Sequence, residues 1–402
     1  MSATRERDLR TGRPLWADSA ATGVPVRTLT AAISVDVAIV GAGISGALMA
    51  RELMQDRSVA VLDRRPPLQG STLASTALLQ WEIDLPLTAL ADRIGSAKAR
   101  RAYLRSACAV SDLKSIVAEE RIRCGFQDRS TLYLAGDAYG HRALKTEVED
   151  RSAAGLPSAY LTAGDLRDRY GLNRTGAILS QGSAAADPAQ LTAALLRRAA
   201  DRGAAIHSSV EVVDVLSDPS GVTLVTDTGH VVRAGSVVFC SGYEFPVDLG
   251  LSGAQIVSTW AIASEQGTVF PAWLRDTLVW EASAPYLYLR TTGDGRLIVG
   301  GEDEQSATAH ASGPKLEQKA RTIRRKLGKL LPEVEFRIER VWAGAFGDSA
   351  TGLPSIRRIP GLDHAWAVQG FGGNGITYSV IASQIIGAAL RGRPDPDADL
   401  YA

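Results

Sequence analysis

An α/β fold with an antiparallel sheet inserted into it is what this sequence predicts, on three observations. A β-branched run, "VDVAIV" (35–40), feeds a glycine turn, a helix-forming stretch and a second strand, "SVAVLD" (58–63), that ends on an acid. Strand follows strand from 256 to 303, without a helical pattern between them. A second glycine-rich turn, "GFGGNG" (370–375), opens a final apolar helix near the far end of the chain.

The first turn reads Gly41-x-Gly43-x-x-Gly46. Strand, turn, helix, strand and acid in that order form the βαβ fingerprint of dinucleotide binding. Gly41 permits the tight turn, Gly43 lets the backbone approach a pyrophosphate, and Gly46 lets helix and strand pack closely. The helix N-terminus then directs its free N–H groups at phosphate. Asp63 is placed to accept hydrogen bonds from ribose hydroxyls. Arg64 and Arg65 follow it and read as solvated surface. The fingerprint alone does not separate a nicotinamide from a flavin dinucleotide.

Beyond it, "RRPPLQGSTLASTALLQWEID" (64–84) is a loop rich in hydroxyls: Ser71, Thr72, Ser75 and Thr76. It reads either as a capped loop before a helix or as a source of uncharged donors for a pyrophosphate. Trp81 and Glu82 either border a site or start a helix. Residues 97–120 form an amphipathic helix, followed by the strand "STLYLAG"; 188–215 reads helix then strand. Residues 221–243 read as a hairpin leading to a strand that halts at Cys240-Ser241-Gly242, where small residues admit a ligand to the backbone. "IVSTWAIAS", "TLVWEAS", "YLYLRTT" and "RLIVGGED" are the inserted strands, and 314–332 is a charged helix beyond them.

Composition narrows the function. The 402 residues carry 44 basic and 44 acidic side chains, so no charge excess points to nucleic acid. Cys108, Cys124 and Cys240 form no CxxC pair and suit reduced thiols. The five histidines lack ligand spacing, and no metal site is expected. Residues 1–32 read as an arm docking through Trp16. No apolar stretch is long enough to span a bilayer, the N-terminus lacks a secretory h-region, and a cytoplasmic location is expected.

Four marks in order, the fingerprint with Asp63, "GSTLASTALLQ", the strand ending at "CSG", and "WAG…TGLP" with "GFGGNGI", resemble the glycine/D-amino-acid oxidase-like (DAO) family of flavoproteins. The likeness runs from about Val35 to Leu390 and, among family members, is nearest in motif to γ-glutamylputrescine oxidoreductase. It implies a Rossmann-like FAD-binding domain (33–95, 155–250 and 335–402) and an antiparallel-sheet substrate domain, α+β in type (96–154 and 251–334). Implied FAD contacts are Gly41, Gly43, Gly46, Asp63, Ser71, Thr72, Ser75, Thr76, Val212, Gly242, Gly372, Gly373, Asn374, Gly375 and Ile376. Their neighbours Ile44, Ser45, Arg64, Leu78, Leu79, Gln80, Cys240, Ser241, Gly344 and Thr377 complete the expected set. The late turn would set its amides, carrying partial positive charge, beside the flavin N1–C2=O edge.

The sequence also departs from the family. Some members tether flavin through a cysteine near the position of Gly344; none lies there, so non-covalent FAD is expected. Where amino-acid oxidases place an arginine to clamp a substrate carboxylate, Phe346 stands, and a buried carboxylate without a cation is costly. Ile298 stands near the place of sarcosine oxidase's oxygen-activating lysine, which favours a dehydrogenase over an oxidase. Strand alternation puts Tyr286, Tyr288 and Arg290 on one face. That face either meets the flavin, with Arg290 a substitute clamp, or lies in water. Trp280 and Trp342 read as packing residues.

The expected function is FAD-dependent oxidation of the C–N bond of a small amine or amino-acid-type substrate, with O2 or a redox carrier as electron acceptor. Alternatives are a D-amino-acid or N-alkyl-amino-acid dehydrogenase or oxidase, a nicotinamide-dependent dehydrogenase, and an FAD-binding protein without turnover.

Overall fold

Two sheets organise the chain, one built on parallel strands and one almost wholly antiparallel. The computed structural model describes residues 7–19, 23–244, 254–349 and 351–402. In the first sheet, Ile33–Val40 lies between Val59–Asp63 and Val231–Phe239, with Ala205–Ser208 and Ala365–Gln369 outside them, all parallel. Ser355–Arg358 closes one edge antiparallel. The inner strands are buried on both faces, which is why they read as continuous β-branched runs rather than alternating ones. Helix Ile44–Leu53 packs on this sheet and against both Pro188–Asp201 and Gly375–Leu390, the latter touches Ser355–Arg358, and Ser96–Glu119 packs against it.

The second sheet runs Arg10–Gly12, Ile338–Ser349, Ala254–Ser264, Leu297–Glu304, Leu287–Thr291, Thr277–Glu281, Gln127–Leu134, Gly176–Ala185 and Leu78–Leu79 in spatial order. The pairing of Thr277–Glu281 with Gln127–Leu134 is parallel. Helix Gly313–Leu330 buries Ile323, Leu327 and Leu330 in a core with Leu287, Leu289 and Val299. The sheet partition cuts the expected domain boundaries. Ser158–Thr162, Gly176–Ala185 and Ile338–Ser349 pair within the second sheet. Helix Ser96–Glu119 packs against helices Leu87–Ile94 and Gly375–Leu390 and shares a core cluster that spans both sheets. Local patterning marks a strand, whereas non-local pairing decides its sheet, and we propose the sheet partition as the domain division.

The N-terminal arm is part of the second sheet. Arg10 sits opposite Gly344 in an antiparallel pair. Trp16 is buried, and its Nε1 donates to the Ser75 carbonyl at 2.7 Å. Arm and hydroxyl-rich loop are thereby fixed to each other.

A buried ionic cluster lies beneath the junction of the two sheets. Arg151 Nε donates to Glu147 at 2.7 Å, and its guanidinium lies 3.9 Å from Glu82. Glu147 in turn accepts from the backbone N–H groups of Leu87 (2.7 Å) and Thr88 (2.9 Å) at the start of helix Leu87–Ile94. Removing the cation would leave two carboxylates buried together. Arg151→Met is expected to destabilise the fold by about 3–5 kcal/mol, read as a lower urea midpoint. Trp16→Ala, which removes a buried indole and a donor, is expected to cost about 3–5 kcal/mol, read in the same assay.

Candidate functional site

The parallel strands end where the backbone must come very close to itself. A Cβ on Gly46 would overlap the Gly41 carbonyl oxygen, so only glycine lets helix Ile44–Leu53 sit against the turn. Gly41 adopts φ +115°, in the left-handed half of the map. Asp63, at the end of the next strand, accepts from the Ala42 N–H at 2.7 Å and the Arg65 N–H at 2.8 Å. Burial holds its carboxyl above the usual range, against those two N–H groups and the Arg65 charge, which favour ionisation.

From this turn a cavity opens toward the second sheet, with an empty volume of about 1770 Å³ including its mouth. The fingerprint turn lines it with Gly41, Gly43, Ile44 and Ser45, then Asp63 and Arg64. The hydroxyl-rich loop contributes Ser71, Thr72, Ser75, Thr76, Leu78 and Gln80. Cys240, Ser241, Gly242 and Gly344 line it, as does the whole late turn from Gly372 to Thr377. So the two glycine turns, far apart in sequence, face one space.

Three expected contacts do not line it. Gly46 and Leu79 lie in the packing beneath the cavity, and Val212 is buried in the hydrophobic cluster against the other face of the first sheet.

Several donors in the wall await an acceptor. Among the described residues, Ser71 Oγ, Gln80 Nε2 and Trp280 Nε1 are buried without a hydrogen-bond partner. Leaving such groups unpaired costs about 1–3 kcal/mol each, so a polar ligand is what the wall fits. A Cβ on Gly43 would come within 3.1 Å of Thr72 Oγ1, so this turn keeps its backbone bare beside the hydroxyl loop. Helix Gly375–Leu390 has no side-chain cap, which leaves its first N–H groups directed at the cavity's contents.

The late turn divides its amides. Gly372 N–H donates to the Gly347 carbonyl (2.8 Å) and Gly373 N–H to Asp84 Oδ2 (2.7 Å), so these two are engaged within the protein. Asn374 Nδ2 donates to the carbonyls of Gln80 (3.1 Å) and Glu82 (2.8 Å), and Thr377 Oγ1 to Gln80 (3.0 Å). Left to meet a flavin edge through the backbone are the first N–H groups of helix Gly375–Leu390, those of Gly375, Ile376 and Thr377.

On the second-sheet side, Tyr286, Tyr288, Phe346, Trp280 and Thr259 form the wall, with Tyr243, Phe371, Glu82 and Asp84 adjoining. Trp280 also stacks on Tyr133 at 3.8 Å, combining packing with a place in the wall. Trp342 is buried, and its Nε1 donates to the Ala74 carbonyl at 2.9 Å. Burial first of all, and the Asp303 charge next, push the Tyr288 hydroxyl up to about 12.

Arg290 fits neither of its sequence readings. It is buried outside the cavity wall, with its guanidinium donating to the carbonyls of Thr76 (2.6 Å), Ala186 (2.8 Å) and Thr291 (3.3 Å). It fastens the hydroxyl-rich loop to the sheet, and Trp16 of the arm lies against it. Trp81 and Glu82 start no helix; Glu82 lines the cavity and Trp81 is buried below. Ile298 is buried in the core cluster and does not line the cavity.

Asp84, Thr259 and Asp303 were not visible as site residues in the sequence. The signal for Asp303 was "IVGGED". A Cβ on Gly300 would overlap the Tyr288 ring, and Gly301 (φ +129°) and Glu302 (φ +61°) both turn left-handed. Opposite Ser258–Trp260 this strand carries one extra residue, a bulge that re-aims Asp303. A left-handed non-glycine residue costs about 1–3 kcal/mol, strain of the kind found beside functional sites. Burial and the Asp84 charge push the Asp303 carboxyl up to about 6, opposed by the Thr259 and Tyr286 hydroxyls and the Lys319 charge.

Among the described residues, no group of three or more His, Cys, Asp or Glu side chains could hold a metal ion, and no helix is long and apolar enough to cross a membrane.

Comparison with known proteins agrees with this geometry. The family model described as FAD dependent oxidoreductase, DAO, matches residues 36–389. Glycine oxidase of Geobacillus kaustophilus (strain HTA426) is 26% identical over 373 residues, which cover 87% of this chain and 91% of that relative. The crystal structure of glycine oxidase from Geobacillus kaustophilus superposes with a TM-score of 0.75 at 22% identity, covering 90% of this chain and 96% of that one. L-proline dehydrogenase from P. horikoshii gives 0.75 at 19%, covering 92% and 96%. With a fingerprint turn, a hydroxyl loop and a late turn on one cavity, and a family match over most of its length, the chain belongs to the DAO family of FAD-dependent oxidoreductases.

Proposed function

We propose that the protein oxidises the C–N bond of an amine that carries no carboxylate on the reacting carbon. One observation carries this reading: among the described lining residues the only cations are Arg64 and Arg65. Both belong to the segment after Asp63, where Arg64 pairs with Glu211 (3.5 Å) and Arg65 with Glu244 (2.7 Å). The wall on the second-sheet side is aromatic, hydroxylic and acidic instead. A substrate carboxylate there would be buried without a cation, at a cost that an amine avoids.

FAD, when bound, supplies the acceptor for a hydride from the carbon beside nitrogen. The chain's own residues do the rest. The aromatic wall of Trp280, Tyr286, Tyr288 and Phe346 excludes water and orients the C–H bond. The uncapped N-terminus of helix Gly375–Leu390 offers partial positive charge where negative charge builds up. Loss of the hydride and an N–H proton gives an imine, which water hydrolyses to a carbonyl compound and a freed amine or ammonia.

Non-covalent attachment belongs to the same proposal. Cys240 is the cysteine in the described wall, and burial pushes its thiol up to about 12, so it stays a protonated, unreactive thiol. The three free cysteines also support a cytoplasmic setting. A dehydrogenase is the preferred form, with a redox carrier rather than O2 as electron acceptor. A second reading, an amino acid or N-alkyl amino acid as substrate, is favoured by the names of the relatives, glycine oxidase and L-proline dehydrogenase.

Anaerobic titration of the yellow protein decides between the two. Primary and secondary alkylamines are expected to bleach the flavin bands at least about tenfold faster than the matching α-amino acids; faster bleaching by the amino acids would reverse the assignment. Reoxidation of the reduced protein is expected to be faster with a quinone or dye than with O2. Asp63→Ala removes the acceptor of two backbone N–H groups, each worth about 1–3 kcal/mol. It is expected to release FAD on gel filtration, whereas the wild type retains its colour until denatured.

A further inference from the structure

We propose that Asp84 anchors a second, non-reacting cation of the substrate, so that the site takes a diamine, or another amine with a positive charge at its distal end, in preference to a monoamine. The inference deepens the reading of an amine substrate and rests on it.

The late turn is shaped around this carboxylate. Gly373 N–H donates to Asp84 Oδ2 at 2.7 Å. A Cβ on Gly372 would come within 2.7 Å of Asp84 Oδ2, and a Cβ on Gly373 within 2.7 Å of Oδ1. Both oxygens therefore lie against the turn at a closeness that bare backbone allows, and an alanine at either position would displace them. A carboxylate accepts about four hydrogen bonds, so the group can hold Gly373 and a ligand's ammonium together.

Exposure sets Asp84 apart from the other carboxylates of the cavity. Among the described lining residues these are Asp63, Glu82 and Glu244. Glu82 is buried with Thr131, Ser183 and the Arg151 guanidinium around it, and Glu244 is buried and paired with Arg65 at 2.7 Å. Asp63 serves the Ala42 and Arg65 N–H groups. Of the four, Asp84 is the exposed one, and it borders the cavity. Phe371 directly precedes Gly372 and meets Tyr243 edge to face at 6.3 Å, both in the same wall. A carboxylate on a turn flanked by aromatic rings suits an ammonium, through ion pairing and the ring quadrupole together.

Which nitrogen Asp84 holds follows from the reaction. A hydride leaves carbon with the help of the lone pair on a neutral nitrogen, and a carboxylate bound to that nitrogen favours the protonated form, which has none. The reacting carbon also has to be kept from water, as it is by the buried and half-buried wall of Trp280, Tyr286, Tyr288 and Phe346. A carboxylate at an exposed position meets neither requirement. It suits a nitrogen that stays an ammonium throughout, at the end of the substrate away from the chemistry.

The test uses ligands that cannot react. Butanediamine and hexanediamine, each methylated twice at both carbons bearing nitrogen, have no hydrogen on those carbons. The monoamines of the same skeletons lack one amino group. Binding to the FAD-loaded protein is read by titration calorimetry. Wild type is expected to bind at least one diamine about tenfold more tightly than its monoamine, with a smaller margin in about 0.5 M salt. Asp84→Asn, which keeps an acceptor oxygen for Gly373, should remove most of that margin. Gly373→Ala, which pushes the carboxylate off the turn, should reduce it as well.

Monoamines bound as tightly as diamines at both lengths, no binding of any probe, or an Asp84→Asn protein that keeps the margin would overturn the assignment. Where Asp84→Asn fails to fold, Gly373→Ala carries the same comparison. Oxidisable amines that leave the flavin oxidised, beside a diamine margin that depends on Asp84, would sink the proposed oxidation and leave the anchor standing. Amine oxidation without such a margin would do the reverse.

Discussion

Five consecutive residues, Gln80 to Asp84, hold the two halves of this molecule in register. Asn374 and Thr377 of the late turn donate to the carbonyls of Gln80 and Glu82, and Gly373 to the side chain of Asp84. From the same segment, Glu82 accepts from Thr131 and Ser183 of the second sheet, and Trp81 Nε1 donates to the Gln181 carbonyl. Arg151, buried beside Glu82 and over the Trp81 ring, keeps that carboxylate compensated. The late turn therefore works twice. Its side chains grip the protein, while the backbone that opens its helix is left for a ligand.

This division explains why the cavity carries so many polar groups without collapsing on itself. Groups that shape the wall are saturated by the protein, as with Arg290 on three carbonyls and Trp342 on Ala74. Ser71, Gln80 and Trp280 retain unspent donors at the surface of the cavity. A buried unpaired donor is costly in an empty site and favourable in a filled one. The free energy lost in the empty state returns as affinity, and cofactor binding should consequently stabilise the fold as a whole.

Much of this was legible in the sequence because the signals are local. The βαβ fingerprint, the inserted strands and the late turn each depend on residues close in the chain, and glycine leaves an unmistakable trace where a Cβ cannot fit. Gly46 is such a position. Sheet membership was less legible. Nothing near Gly176–Ala185 says that its partners will be Gln127–Leu134 and Ser158–Thr162. Arg290 shows the same limit. Alternation correctly set it on the face of Tyr286 and Tyr288, but whether it would reach a ligand or a carbonyl depended on Thr76 and Ala186, distant in sequence. Asp303 escaped notice because one inserted residue shifts the pattern by a full face, and a bulge has only a weak signature beyond its glycines.

The arm that pairs Arg10 with Gly344 links positions 334 residues apart by number. Leu9 belongs to the cavity wall, and its carbonyl accepts from Ala345. During synthesis the arm emerges from the ribosome long before the strand it must join. The flank of the cavity that Leu9 covers can therefore close only once nearly the whole chain has been made.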